Sequence, residues 1–296
     1  GGGASLQACV VAGYPPAETF ALRQSAGLAP GALRNRVIPV KRLVCWCILA
    51  AVPWVGRAAI RTEVIEYREG TTVLEGFLAY DDATTGPRPG VVIVHQWRGL
   101  GDYEKKRAEM LAQLGYVAFC ADIYGKGIRP QTPDEAGKLA GHYKADRSLL
   151  RKRVGAALAR MKIVPQCDPA RTAAMGYCFG GTTALELARS GAETLGVVSF
   201  HGGLSTPAPA DARQSKARIL ALHGADDPFV PAAEVAAFEQ EMREAGVDWQ
   251  LVSYGGAVHS FTDWNATGVM KGAQYNEKAD RRSWESMRSF FTEIFR

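Results

Sequence analysis

The sequence predicts an α/β fold, with a mostly parallel central sheet covered by helices on both faces. Two patterns carry that prediction. Short, continuously apolar runs such as GVVIVHQW (90–97), YVAFCADIYG (116–125) and ARILALHGADD (217–227) read as strands buried on both sides. Longer stretches of helical periodicity separate them, and repeated β-α-β units of this kind close into a parallel sheet. A third observation sets the entry to the sheet. Residues 62–68 (TEVIEYR) and 72–80 (TVLEGFLAY) alternate in hydrophobicity across Gly70, the pattern of an antiparallel hairpin at a sheet edge.

The remaining elements follow in order. The helix DYEKKRAEMLAQLG comes after the strand at 90–97 and stops at Gly115, where glycine relieves the last turn. Residues 133–164 are mostly helical, and TAAMGYC (172–178) is a short strand running straight into the helix TTALELARSG. LGVVSFHGG (195–203) is a strand, AAEVAAFEQEMREAG a helix, WQLVSYGG (249–256) the last strand and ADRRSWESMRSFFTEIF (279–295) the closing helix. Residues 59–296 thus form one domain of ordinary size, without repeats, low-complexity runs or linkers.

Residues 1–58 read as an address. Lys41-Arg42 precede an apolar run, Leu43–Val55, and Gly56-Arg57-Ala58 follow it. These are the n-region, h-region and small-x-small cleavage site of a secretory signal. The expectation is a signal peptide at 40–58, with upstream sequence or a disordered tail at 1–39, and an exported, periplasmic or extracellular product. The run is shorter than the roughly 20 apolar residues of a membrane span, and nothing later is apolar for long enough. The formal net charge is +5, but six bases and a single acid (Glu18) lie in residues 1–58, leaving 29 of each sign beyond. A neutral domain gives no electrostatic case for nucleic acid. Of six cysteines, Cys9, Cys45 and Cys47 belong to the leading segment, and the odd number left (Cys120, Cys167, Cys178) excludes a disulfide scaffold.

Ligands of such sheets bind beyond the carboxyl ends of the strands, so the chemistry is sought there. MGYCFGGTT (175–183) places Cys178 on a strand-to-helix turn flanked by Gly176, Gly180 and Gly181. A nucleophile on so sharp a turn needs neighbours without side chains, and the helix that follows favours a thiolate at its start. A buried cysteine before an ordinary Gly-rich turn is the competing reading of this motif alone. Asp227 ends the strand at 217–227, and His259 follows the strand at 249–256. Nucleophile, acid and histidine in that chain order are the α/β-hydrolase arrangement, in which histidine takes the thiol proton and the acid fixes its tautomer. Asp227 is preferred to Asp226 because it directly precedes the rigid Pro228-Phe229-Val230-Pro231 turn. The oxyanion donors expected are the backbone N–H groups of Phe179 and Trp97, although Trp97 and Trp264 fit equally as pocket walls. His201 is placed either in the pocket or in packing at Gly202-Gly203, and His223 as a hydrogen-bonding residue beneath the acid loop. No His-x-His or Cys-x-x-Cys pair and no phosphate loop occur, so neither a metal nor a nucleotide cofactor is expected.

The pieces HQWRGLGDYEKKRAEMLAQLGYVAFCADIYGKG, MGYCFGG, FHGG, LHGADDPFVP, YGGAVHSF and ADRRSWESMRSFF together resemble the dienelactone hydrolase family, in particular its exported members. They spread over nearly all of residues 62–296. The resemblance implies an α/β-hydrolase fold, a triad carried by Cys178, Asp227 and His259, no cofactor, and carboxymethylenebutenolidase-type cleavage of small esters or lactones through a thioester. It also implies pocket roles for Gln96, Lys126, His201 and Phe261. The family's best-known members carry glutamate at the Gln96 position, and the arginines that hold a substrate carboxylate fall at Lys126 and Asp263. A neutral ester or lactone is therefore the expected substrate, and a monomer the expected state. A non-catalytic binding protein on the same fold is the alternative from another class. A glutamine-amidotransferase-like enzyme is a third reading, weakened because Ser260-Phe261 follow His259 where a His-x-Glu pair is usual.

Overall fold

The computed structural model describes residues 59–296, so the upstream sequence expected at 1–39 and the signal peptide expected at 40–58 lie outside the described residues. The hairpin comes first, β1 (Ile60–Glu69) and β2 (Thr72–Asp81), with all ten residues of each strand paired antiparallel. The rest alternates. β3 is Arg88–Val94, α1 Asp102–Gln113, β4 Val117–Ala121, α2 Pro133–Ala145, α3 Arg147–Lys162, β5 Cys167–Tyr177 and α4 Phe179–Arg189. β6 is Gly196–Phe200, β7 Arg218–Gly224, α5 Ala232–Ala245, β8 Trp249–Tyr254 and α6 Glu277–Ile294. The eight strands lie in the order β1-β2-β4-β3-β5-β6-β7-β8. β2 pairs antiparallel with β4, and every pairing from β4 to β8 is parallel. This is the α/β-hydrolase architecture, with the hairpin at one edge.

Period-two alternation puts a strand's neighbouring side chains on opposite faces. In β3, Val92 and Val94 join the layer under α2–α5, while Val91 and Ile93 join the layer under α1 and α6. Both faces are thus dry, which is why these strands read as continuous apolar runs. The helical stretch at 133–164 is two helices. Asp146 breaks it, with its carboxylate accepting the Leu149 N–H at 2.9 Å to cap α3. β5 begins earlier than its periodicity suggests, because its pairing with β3 slips between Pro89 and Gly90. That irregularity is a bulge, and residues 169–171 take no β3 partner.

Two sets of buried charges brace the layers. Arg189 donates to both Glu241 oxygens, at 2.7 and 2.8 Å, and to Glu186 at 3.1 Å, tying α4 to α5. Arg107 is 2% exposed, pairs with Asp280 at 2.6 Å and faces the Trp264 ring at 4.3 Å, tying α1 to α6. Removing one partner of such a pair costs about 3–5 kcal/mol, because the other charge stays buried.

Glycine is required where β5 turns into α4. A Cβ on Gly176 would stand 2.1 Å from the Gly180 carbonyl oxygen, and one on Gly180 2.2 Å from that of Val94. Both obstacles are backbone and cannot swing away. Gly180→Ala is therefore expected to destabilise the fold by about 3 kcal/mol or more, lowering the midpoint of a calorimetric melt by about 10 °C. Gly155→Ala, on α3 with open space around it, is the control expected to leave the melt unchanged or raise it.

Candidate active site

The ends of β5, β7 and β8 converge on one point. Cys178 follows β5 directly with φ 56°, a left-handed conformation that costs a cysteine of order 1–3 kcal/mol and must be held by its surroundings. The Cys178 N–H is shared by the Phe200 carbonyl at 3.0 Å and His201 Nδ1 at 3.1 Å. Asp227, 5% exposed, sits in the turn after β7. His259 lies beyond β8. Its Nε2 is 3.0 Å from Cys178 Sγ and its Nδ1 is 2.8 Å from Asp227 Oδ2. Sulfur, imidazole and carboxylate thus form an unbroken hydrogen-bonded line.

The electrostatics of that line follow from proximity. Burial raises a thiol pKa, but His259 beside Cys178 and the Phe179 N–H facing the sulfur outweigh it, and the thiol is held below its ordinary range. Burial works against charge on His259 as well, yet the adjacent sulfur and Asp227 raise it to about 10. Both shifts favour movement of the thiol proton towards His259, in the direction of a thiolate–imidazolium pair.

Burial disfavours charge on the other histidines nearby. His95 is fully buried and lowered to about 4 by desolvation. Its Nδ1–H donates to the Gln96 carbonyl at 2.6 Å, and its Nε2 accepts the Ile123 N–H at 3.2 Å, clasping the ends of β3 and β4. His201 is also fully buried, with a pKa pushed down by desolvation and by the neighbouring His259. Because its Nδ1 accepts from Cys178, its Nε2 carries the proton and donates to Thr262 Oγ1 at 2.7 Å. The Thr262 hydroxyl passes the chain on to Tyr103 Oη at 2.7 Å, which Arg107 Nε also meets at 3.2 Å.

The cavity at the sulfur has a volume of about 320 Å³. Trp97 and Phe179 line it, as do Thr182, Phe229, Val230 and Met270, together with Gly137, Ala140, Gly141 and Lys144 from α2. The loop after β3 that carries Trp97 is strapped down by Glu104 of α1. One Glu104 carboxylate oxygen accepts the Gln96 N–H at 3.1 Å and the other the Gly101 N–H at 3.0 Å.

Four pocket expectations are corrected here. Gln96 turns away from the thiol, because its amide donates to Asp263 Oδ2 at 2.9 Å, and it lines a separate cavity of about 740 Å³. Lys126 is half-exposed and paired with Glu66 on the hairpin, outside the cavity of Cys178. His201 lies beneath the nucleophile turn instead of in the cavity. Phe261 is wholly buried, 5.1 Å from the His201 ring and 5.5 Å from that of Tyr254. Two smaller expectations also change. His223 Nδ1 finds no partner among the described residues, and Trp264 donates to Asp280 at 3.2 Å away from the cavity. The α2 contribution was missed. Its signal was the spacing of Gly137, Ala140, Gly141 and Lys144, which share one face of a helix.

The family model described as "Dienelactone hydrolase family" matches residues 74–295. The chain belongs to the dienelactone hydrolase family. It is 41% identical to the solved structure called m3DLH, covering 80% of this chain and 100% of that one, with a TM-score of 0.78. It is 38% identical to a dienelactone hydrolase-like promiscuous phosphotriesterase, P91, from metagenomic libraries, covering 80% of this chain and 100% of that one at a TM-score of 0.77. Among curated proteins it is 30% identical over 215 residues to a probable 2-oxo-3-(5-oxofuran-2-ylidene)propanoate lactonase of Bradyrhizobium, spanning 69% of this chain and 86% of that one. The dienelactone hydrolase-like chain is accordingly a hydrolase of this family.

The His201–Thr262 contact gives a measurable outcome. Thr262→Val keeps the shape but removes the acceptor that fixes the His201 tautomer, so kcat is expected to fall about tenfold or more with KM little changed. Thr262→Ser restores the acceptor and is expected to recover most of the rate, as read by steady-state kinetics on p-nitrophenyl acetate.

Proposed function

We propose that this protein hydrolyses neutral esters or lactones through a thioester on Cys178. The observation that carries the reading is the line from Cys178 Sγ through His259 to Asp227, at 3.0 and 2.8 Å, opening onto a cavity. The thiolate attacks the carbonyl carbon, and the oxyanion faces the Phe179 N–H and, across the cavity, the Trp97 N–H. The C–O bond breaks as His259 Nε2 gives its proton to the departing oxygen. Water then attacks the thioester with His259 accepting a proton, which releases the acid and restores the pair. Asp227 holds the Nδ1–H throughout and stabilises the charged ring.

The substrate class rests on the cavity lining. Lys144 at its α2 side is the lone lysine or arginine among the lining residues, and no arginine fork is there to hold a substrate carboxylate. The remaining walls are largely apolar. Lys126, which the family resemblance placed at the substrate, contributes nothing there. The P91 relative is named a phosphotriesterase, and a thiolate beside two N–H donors can attack phosphorus as well as carbon, so a neutral phosphotriester is the second substrate to try. We also propose export, on the pattern of residues 40–58. N-terminal sequencing of the secreted protein is expected to begin near Ala59, and a mature chain retaining residues 1–39 would refute it.

With p-nitrophenyl acetate, a burst of about one equivalent of p-nitrophenol followed by turnover is expected, and its loss in Cys178→Ala. A steady rate that survives that substitution would remove the nucleophile assignment, and no p-nitrophenol release above the Cys178→Ala control would favour a binding protein on this fold.

A pH profile of kcat/KM tests the pair. Activity is expected to persist below the ordinary thiol range and to fall as pH rises through about 10, where His259 loses the proton it must donate. Asp227→Asn removes the charge that supports the imidazolium, so its alkaline limb is expected to move to lower pH, with a rate loss of about a thousandfold or more.

A further inference from the structure

Three large apolar side chains stand in water at the cavity mouth: Phe229 is 51% exposed, Met270 43% and Val269 93%. Single exposed apolar residues are ordinary, whereas a contiguous group beside a ligand cavity marks a surface with an occupant. Phe229 and Met270 line the same cavity as Cys178, and the exposed Val269 is next to Met270 in the chain. Each part of this wall is fixed by a member of the triad. The Phe229 N–H donates to Asp227 Oδ1 at 2.8 Å, and its ring meets the His259 ring edge-on with centroids 5.3 Å apart. The chain from Trp264 to Tyr275 returns along His259. The His259 N–H donates to the Gly272 carbonyl at 3.0 Å, and the Gln274 N–H donates to the His259 carbonyl at 2.9 Å. This loop seats on the Phe229 turn so closely that a Cβ on Gly272 would come within 2.4 Å of Pro228 Cγ.

The position of the wall names the half of the substrate it meets. During acylation the carbonyl oxygen points to the Phe179 N–H, and the oxygen of the breaking C–O bond points to His259 Nε2, which protonates it. Groups packed on the His259 ring therefore face the alcohol half of an ester. We propose that Phe229 and Met270, continued by Val269, are specificity-determining residues that bind an apolar alkyl or aryl alcohol portion. This narrows the substrate to acyclic esters of such alcohols. It rests on the cysteine-hydrolase reading above.

Two substrate series separate the halves. Butyl, hexyl and octyl acetate change only the alcohol at nearly constant leaving-group basicity, and are followed by pH-stat titration. p-Nitrophenyl acetate, butyrate and hexanoate change only the acyl group. The full-length protein is expected to raise kcat/KM about tenfold from butyl to hexyl acetate, as two methylenes leave water. In Phe229→Ala/Met270→Ala that rise is expected to shrink to about twofold, while the dependence on acyl length keeps its slope. Should the double variant fail to fold, Met270→Gln alone, on an exposed loop, is expected to show the same loss at least threefold. A p-nitrophenyl acetate burst with a flat alcohol series overturns this proposal and leaves the hydrolase reading intact. Flattening of the acyl series instead also overturns it, as does a flat alcohol series with a concentration-dependent dimer that Met270→Gln abolishes. Absence of any Cys178-dependent hydrolysis in both series overturns both readings.

Discussion

The nucleophile turn works because three segments of backbone, the end of β3, the end of β5 and the start of α4, meet there with no side chain between them. α4 begins directly over the Val94 carbonyl, and Gly176 passes beneath Gly180 at a distance no Cβ allows. That contact sets the height of Cys178 above the sheet, and with it the distance to His259. The positive φ at Cys178 is tolerable only while the turn stays pinned, and the Phe200 carbonyl and His201 ring pin it from below. Every polar group assigned to the site is positioned relative to this crossing.

Around it the protein keeps charge scarce. Three further histidines lie near the strand ends, and burial disfavours the cationic form of each. His259 differs because the Cys178 sulfur and the Asp227 carboxylate flank its two nitrogens. Lys144 is the further cation that shares the cavity, and it too favours a negative sulfur. The strongly charged pairs lie further out, where Arg107 and Arg189 join helices on the two faces of the sheet. The proton chemistry thus sits in a quiet field, and stiffness is supplied from outside it.

The arrangement of strands was plain in the sequence because both faces are buried, so that each core strand is an uninterrupted apolar run bounded by glycine or a charged helix. Cys178, Asp227 and His259 were legible for a related reason. Cys178 follows β5 directly, Asp227 comes shortly after β7 and His259 shortly after β8, and strand ends are where this topology gathers its loops. The pocket walls were not legible in the same way. Gln96 is turned by Asp263, His201 by Thr262 and Lys126 by Glu66, partners 60 or more residues away along the chain. No local pattern reports such a partner. The α2 face was readable by helical spacing, but its small residues carry no chemistry of their own and draw no attention until the fold sets them opposite the sulfur.

The three thiols of the described domain differ sharply in access. Cys120 is sealed in the core, donating to the Glu104 carbonyl at 3.3 Å, and Cys167 is buried against Gly90 and Met161. Burial raises the pKa of both, so neither holds a thiolate near neutrality. Cys178 alone of the three combines a lowered pKa with partial exposure. Among these three, an alkylating reagent under native conditions is therefore a census of assembled sites: the fraction of chains it modifies counts how many molecules in a preparation hold Cys178 accessible beside His259, independently of any substrate.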